Sequence, residues 1–115
     1  MLKRLNENFE IVDVENRWDM DNNANILLQT RLVKEGEESI LVSSVFLPLD
    51  HAYQGDPVHF ETMVFGRNPD GDEQYRYTTL KEMCEEHIDI LDKYLNQGYT
   101  IKNQSGRLAS VEQKD

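Results

Sequence analysis

With 115 residues, 38% of them hydrophobic, and one cysteine, the chain is sized for one domain with a modest core and no internal disulfide. Its 22 acidic against 12 basic residues give a formal net charge of -10, which argues against direct binding to nucleic-acid phosphates or anionic membrane surfaces. No apolar run approaches the roughly 20 residues needed to span a bilayer, and "MLKRLNENFE" has no signal-peptide pattern, so a cytoplasmic protein without membrane association is predicted.

Residues 1–8 are polar and read as a loose end. Phe9, Ile11 and Trp18 suggest a first strand with imperfect alternation. "DMDNNAN", 19–25, is a turn cluster, because Asp and Asn hydrogen-bond nearby backbone. "ILLQTRLV", 26–33, and "SILVSSVFL", 39–47, flank a polar loop containing Gly36 and predict a β-hairpin. In the second of these strands Ile40, Val42, Ser44 and Phe46 share one face and Leu41, Ser43, Val45 and Leu47 the other. Both faces are largely apolar, so the strand is expected at the centre of a sheet and covered on both sides. Pro48 ends it.

After a loop to Pro57, "VHFETMVFG" predicts a third strand, with Val58, Phe60, Thr62 and Val64 on one face and His59, Glu61, Met63 and Phe65 on the other. "RNPDGDEQ" is a turn by composition, and "YRYTT" a short strand beyond it. A helix is predicted from about Leu80 to Gln97. Thr79 and Glu82 have capping-box spacing at its start, and Gly98 is placed to stop it. Leu80, Cys84, His87, Leu91, Tyr94 and Leu95 share one face, flanked by Met83, Ile88 and Ile90, while Glu82, Glu85, Glu86, Asp89 and Asp92 line the opposite one. "YTIKN" predicts an edge strand, and the chain frays from Gln104. The fold class is α+β: an antiparallel sheet of four to five strands with one long helix packed on a face. It forms a single domain, 1–115, ordered over about 9–103, with flexible ends at 1–8 and 104–115.

Phosphate-cradling glycine loops, paired CxxC cysteines, HExxH and the GxSxG elbow are all missing from the sequence. What remains is a diffuse set, Asp50, His51 and Asp56 in the loop, His59 and Glu61 on the strand, and Cys84 and His87 on the helix, of which Asp50, His51, Glu61 and His87 form the candidate ligand or structural cluster. Imidazole and carboxylate together can bind a ligand or a metal, or move protons, if the fold brings them together. Cys84 and His87 sit three apart on one helix face, but both occupy core positions, so no metal, cofactor or catalytic residue is assigned. Asp50 can accept backbone amides and so organise its loop. Glu61, set among apolar strand residues, needs a partner if buried, and Arg67, Arg76 and His87 are the candidates.

"SSVFLPLDHAYQGDPVHFETMVFG" followed by "YRYTTLKEMCEEH" resembles a family of small bacteriophage and prophage proteins. The resemblance rests on Leu49-Asp50-His51, Phe60-Glu61-Thr62-Met63, Arg76-Tyr77-Thr78 and His87, and spans about 43–87. Pro48 and Glu86 stand where the family usually has glycine. The resemblance implies a phage accessory gene product, and implies that Asp50, His51, Glu61 and His87 belong to one structural theme. The leading expectation is an acidic accessory protein that binds another protein with a basic surface through Glu82, Glu85, Glu86, Asp89 and Asp92, and so inhibits a host factor or host-defence protein. The alternative is a ligand- or metal-binding protein, or an enzyme, built on the His/Glu cluster. An exposed sheet edge leaves room for a homodimer.

Overall fold

The computed structural model describes residues 2–15, 22–50, 54–66 and 71–112. Among these residues seven strands and two helices follow in chain order: β1 (Lys3–Leu5), β2 (Ile11–Asp13), β3 (Ile26–Val33), β4 (Ile40–Phe46), β5 (Phe60–Phe65), β6 (Glu73–Tyr77), α1 (Leu80–Leu95), β7 (Thr100–Ser105) and α2 (Arg107–Glu112). A 3-10 turn over Asn22–Asn25 leads into β3. β1 and β2 form a two-stranded sheet, and the other strands form an antiparallel five-stranded sheet in the order β6-β5-β4-β3-β7. This is the α+β architecture expected from the sequence, with the β3–β4 hairpin at its centre and β7 at an edge.

α1 begins where its capping box places it. Thr79 is extended at φ -129° and its Oγ1 accepts the Glu82 amide at 3.1 Å, while its hydroxyl donates to the Glu82 carboxylate at 3.0 Å. The helix ends at Leu95, two residues before the expected Gln97, because the chain closes a C-terminal turn there. Tyr99 N donates to Tyr94 O and Gly98 N to Leu95 O, each at 3.1 Å, with Gly98 at φ 96°. These are the two bonds of a Schellman motif, which needs a left-handed residue that glycine supplies without strain.

α1 lies across one face of the sheet. Leu5, Leu27, Phe46, Phe60, Tyr77 and Met83 form one buried cluster, and Leu32, Ile40, Val42, Val64, Ile90 and Leu91 form a second. Burying each large aliphatic side chain contributes about 1.5–3 kcal/mol before entropy is counted. On the opposite face Leu41, Val45, Met63 and Phe65 are half-buried among Gln29, Arg31, Gln74 and Arg76, and none of the described helices covers it. The described helices thus cover β4 on one side only, although Ser43 and Glu61 are buried on the other. Its neighbours place polar and charged groups on the second face, as a one-sided antiparallel sheet does.

Both chain ends, expected to be loose, carry secondary structure. β1 and part of β7 fall within those spans, and so does α2. Leu5 and Ala109 are buried, and Phe9 and Leu108 pack against the first cluster. Arg107 clasps the two ends together: its guanidinium lies 4.6 Å from the Phe9 ring centroid and donates to Leu5 O and Asn6 O. Four apolar anchors and a stacked cation offset the ordering entropy that composition alone suggested would win.

Candidate functional site

Of the candidate cluster, Glu61 and His87 do not come together. Register pairs Glu61 with Arg76 and Val45, and places it on the open face of the sheet. Thr62, Ser44 and His87 meet on the helix-covered face. Successive strand residues point to opposite sides, so the sheet separates Glu61 from His87. Asp50 lies in the loop after β4, where its Oδ1 accepts the Val58 amide at 2.7 Å, the loop-organising role expected of it. His51 and Arg67 lie outside the described residues. Among the described residues no group of three or more His, Cys, Asp and Glu could hold a metal ion.

Glu61 takes the partner that cross-strand register offers. Its Oε2 accepts Arg76 Nε at 3.0 Å and Gln74 Nε2 at 2.6 Å. The Glu61 side chain is only 10% exposed, against 43% for Arg76, so the carboxylate is the buried member of the pair. Replacing Arg76 leaves Glu61 with a neutral donor alone. Arg76→Ala is expected to lower stability by about 1–3 kcal/mol, while Glu61→Gln in the same background recovers part of the loss. Urea unfolding of the three variants measures this, and an Arg76→Ala protein as stable as wild type would remove the structural role.

His87 occupies the centre of the other face with no exposed surface. Its Nδ1 lies 2.7 Å from Ser44 Oγ and its Nε2 2.9 Å from Thr30 Oγ1. Ser44 Oγ also contacts Thr62 Oγ1 at 2.6 Å, and Gln104 Nε2 donates to Thr30 Oγ1 at 3.2 Å. The chain of polar groups thus crosses β7, β3, α1, β4 and β5. It forms a layer between the two apolar clusters, since Met83 precedes it on α1 and Ile90 and Leu91 follow. A neutral imidazole satisfies both hydroxyls, one nitrogen donating and the other accepting. Burial pulls the His87 pKa down from 6.5 to about 4, which keeps the ring neutral.

A serine 2.7 Å from an imidazole has the spacing of a nucleophile and its base. Here Ser44, Thr30, Thr62 and His87 are all sealed from solvent, so no substrate reaches them. Both ring nitrogens are also engaged, which leaves none for a metal shared with Cys84. Cys84 instead packs half-buried against the first apolar cluster. The sequence did contain a signal for this layer. Thr30, Ser44 and Thr62 interrupt the apolar faces of three strands, and His87 interrupts the apolar face of the helix.

At the C-terminal end of α1 a cavity of about 320 Å³ is lined by Ile40, Asp72, Tyr94, Gln97 and Tyr99. Glu73 gathers polar groups nearby. Tyr75 Oη donates to its Oε1 at 2.6 Å, Tyr94 Oη to its Oε2 at 3.3 Å, and Lys93 Nζ lies 3.7 Å from Oε1. Both phenols are pushed up to about 12, Tyr75 chiefly by the hydrogen bond to Glu73 and Tyr94 chiefly by burial. Neither phenol is poised to ionise near neutrality, and no member of the candidate cluster lines the cavity.

The acids of α1 face outward. Glu82, Glu85, Glu86, Asp89 and Asp92 are all exposed. Glu82 is committed to the helix cap through Thr78 and Thr79, and Glu85 makes only a 3.9 Å exposed pair with Lys81. The β3–β4 turn adds Glu35, Glu37 and Glu38, also exposed, near the end of the helix, where Lys34 Nζ donates to Gln97 O at 2.6 Å. No helix among the described residues is long and apolar enough to cross a membrane. Comparison with protein-family models, with curated proteins and with solved structures finds no match for this chain.

Proposed function

We propose that the protein is a small, acidic, phage-type accessory protein that acts by binding a basic surface of another protein, and in doing so inhibits a host factor or host-defence protein. One observation carries this reading: the carboxylates of Glu85, Glu86, Asp89 and Asp92 form an exposed stripe along a rigid, well-capped helix. A stripe of this kind steers a cationic partner and can compete for lysines and arginines that otherwise hold nucleic-acid phosphates. The sheet separates Glu61 from His87, so the ligand-binding or enzymatic reading has no shared site for that pair.

The test is charge reversal. Glu85→Lys together with Asp89→Lys alters only exposed groups, so the effect on folding is expected to stay within about 0.5 kcal/mol. Tagged wild-type protein should retain a basic partner from bacterial lysate in a salt-sensitive way, and the folded double variant should lose it by about tenfold or more. Equal retention of that partner by both proteins would end the acidic-face reading.

A further inference from the structure

The β7 edge is the opposite of the rest of the surface in charge. No acid occurs from Asn25 to Lys34 or from Gly98 to Val111, the two segments that build β3 and β7 with their immediate continuations. They carry Arg31, Lys34, Lys102 and Arg107. The ion pairs seen among the described residues use Lys3, Arg76, Lys81 and Lys93 instead. Arg31 donates to Ser39 Oγ, Lys34 to Gln97 O, and Arg107 to Leu5 O and Asn6 O, all neutral acceptors. Lys102 stands exposed on the edge itself.

Among the described residues the same edge offers strand backbone with no partner strand, and apolar surface. β7 ends the five-stranded order, and every residue of it except Gln104 is exposed. Ile101 is 45% exposed, and Ile88 and Leu95 on α1 are 56% and 39% exposed. Tyr94 and Lys93 reach Glu73 of β6, which fixes the flank of α1 that faces β6. Ile88 and Leu95 lie on the other flank, away from β6 and on the side of the sheet that ends in β7.

We propose that this edge takes an extended, acidic segment of a partner protein as a sixth strand beside β7. Main-chain hydrogen bonds supply the pairing, carboxylates of the segment meet Lys102 and the cations around it, and an apolar side chain lies against Ile101 and the Ile88–Leu95 flank. A second copy fits this edge poorly, since pairing β7 with β7 sets Lys102 cations close together and joins two molecules of net charge -10. The proposal is independent of the α1 acidic face, because it rests on the β7 edge and the apolar flank of α1 beside it and on the opposite sign of charge.

The probe is a short synthetic peptide in which valine and threonine alternate with glutamate, compared with the same peptide carrying lysine for glutamate. Binding is followed by amide chemical shifts and hydrogen exchange in the full chain. The expected result is salt-sensitive binding of the glutamate peptide, slowed exchange within 100–105, and about tenfold weaker binding by the folded Lys102→Glu variant. The Glu85→Lys, Asp89→Lys variant should bind the glutamate peptide at least as tightly as wild type, since it removes acids and adds cations, so this surface and the acidic face are scored separately. Equal binding of the lysine peptide, unchanged exchange at β7, or full affinity in Lys102→Glu would overturn the proposal. So would concentration-dependent dimerisation abolished by Lys102→Glu, which would assign the edge to a second copy.

Discussion

Acidification from pH 7 to 4 is expected to remove about 3 kcal/mol of folding stability through His87 alone. The folded pKa is lowered to about 4 because burial disfavours the charged ring, while the unfolded chain titrates near 6.5. Above pH 6.5 neither state binds the proton, and the stability is fully present. Between 6.5 and about 4 the unfolded state binds it and the folded state does not, so stability falls as pH falls. Below about 4 both states are protonated and this contribution stops changing. The groups facing the ring are the hydroxyls of Thr30 and Ser44, backed by Thr62 and Gln104, so no carboxylate partner among them rescues the imidazolium. Protonation makes both nitrogens donors, which strands the Thr30 or Ser44 proton that a neutral nitrogen had accepted.

Two measurements separate this effect from the titration of the chain's many carboxylates. The His87 ring protons should titrate near pH 4 by NMR, and a midpoint near 6.5 would contradict the sealed site. Urea unfolding of His87→Gln should show a flatter loss of stability between pH 6.5 and 4 than wild type does. His87→Ala at pH 7 is expected to be worse than either, destabilised by about 3–5 kcal/mol, because it opens a cavity and leaves two buried hydroxyls without their partner.

Gly106→Ala is expected to destabilise the protein by about 2–4 kcal/mol. Gly106 joins β7 to α2 at φ 107°, a left-handed conformation that a side chain resists. A Cβ there would lie 2.6 Å from Leu27 O and 2.8 Å from Leu27 C. Those atoms are backbone of a central-sheet strand whose side chain is fully buried, so they cannot move aside as a flexible side chain would. Gly36→Ala is the control. It shares the positive φ, at 80°, but has nothing within 4 Å of the added Cβ, so only the conformational cost of about 1 kcal/mol applies. Thermal or urea unfolding of the two variants side by side reads the difference. Equal losses would mean that the close approach at Leu27 carries no weight.

The helix and the central hairpin were legible in the sequence because their determinants are local. Thr79, Glu82 and Gly98 act within a turn of the residues they cap, and the alternation of Ile40, Val42, Ser44 and Phe46 fixes a face without reference to any other segment. The ordered ends were not legible. Leu5, Phe9 and Leu108 are isolated apolar residues in polar stretches, and their burial depends on Arg107 meeting a turn about a hundred residues earlier in the chain. Glu61 was recognisable as a residue needing a partner, with Arg76 among the candidates, but only strand register chose between them.

The sequence by itself determined that the chain is strongly acidic, that its helix is amphipathic, and that hydroxyls and one histidine interrupt otherwise apolar faces. Only the tertiary structure decided what those interruptions do. Pleating sent Glu61 and His87 to opposite sides of the sheet, although the sequence resemblance implied that they belong to one theme. Packing of α1 brought His87 to Thr30 and Ser44, residues 57 and 43 positions away. Which face of a strand a residue takes is a local property, but which strands and helices share that face depends on the register of distant segments, and that long-range choice paired Glu61 with Arg76 on one side of the sheet and sealed His87 among hydroxyls on the other.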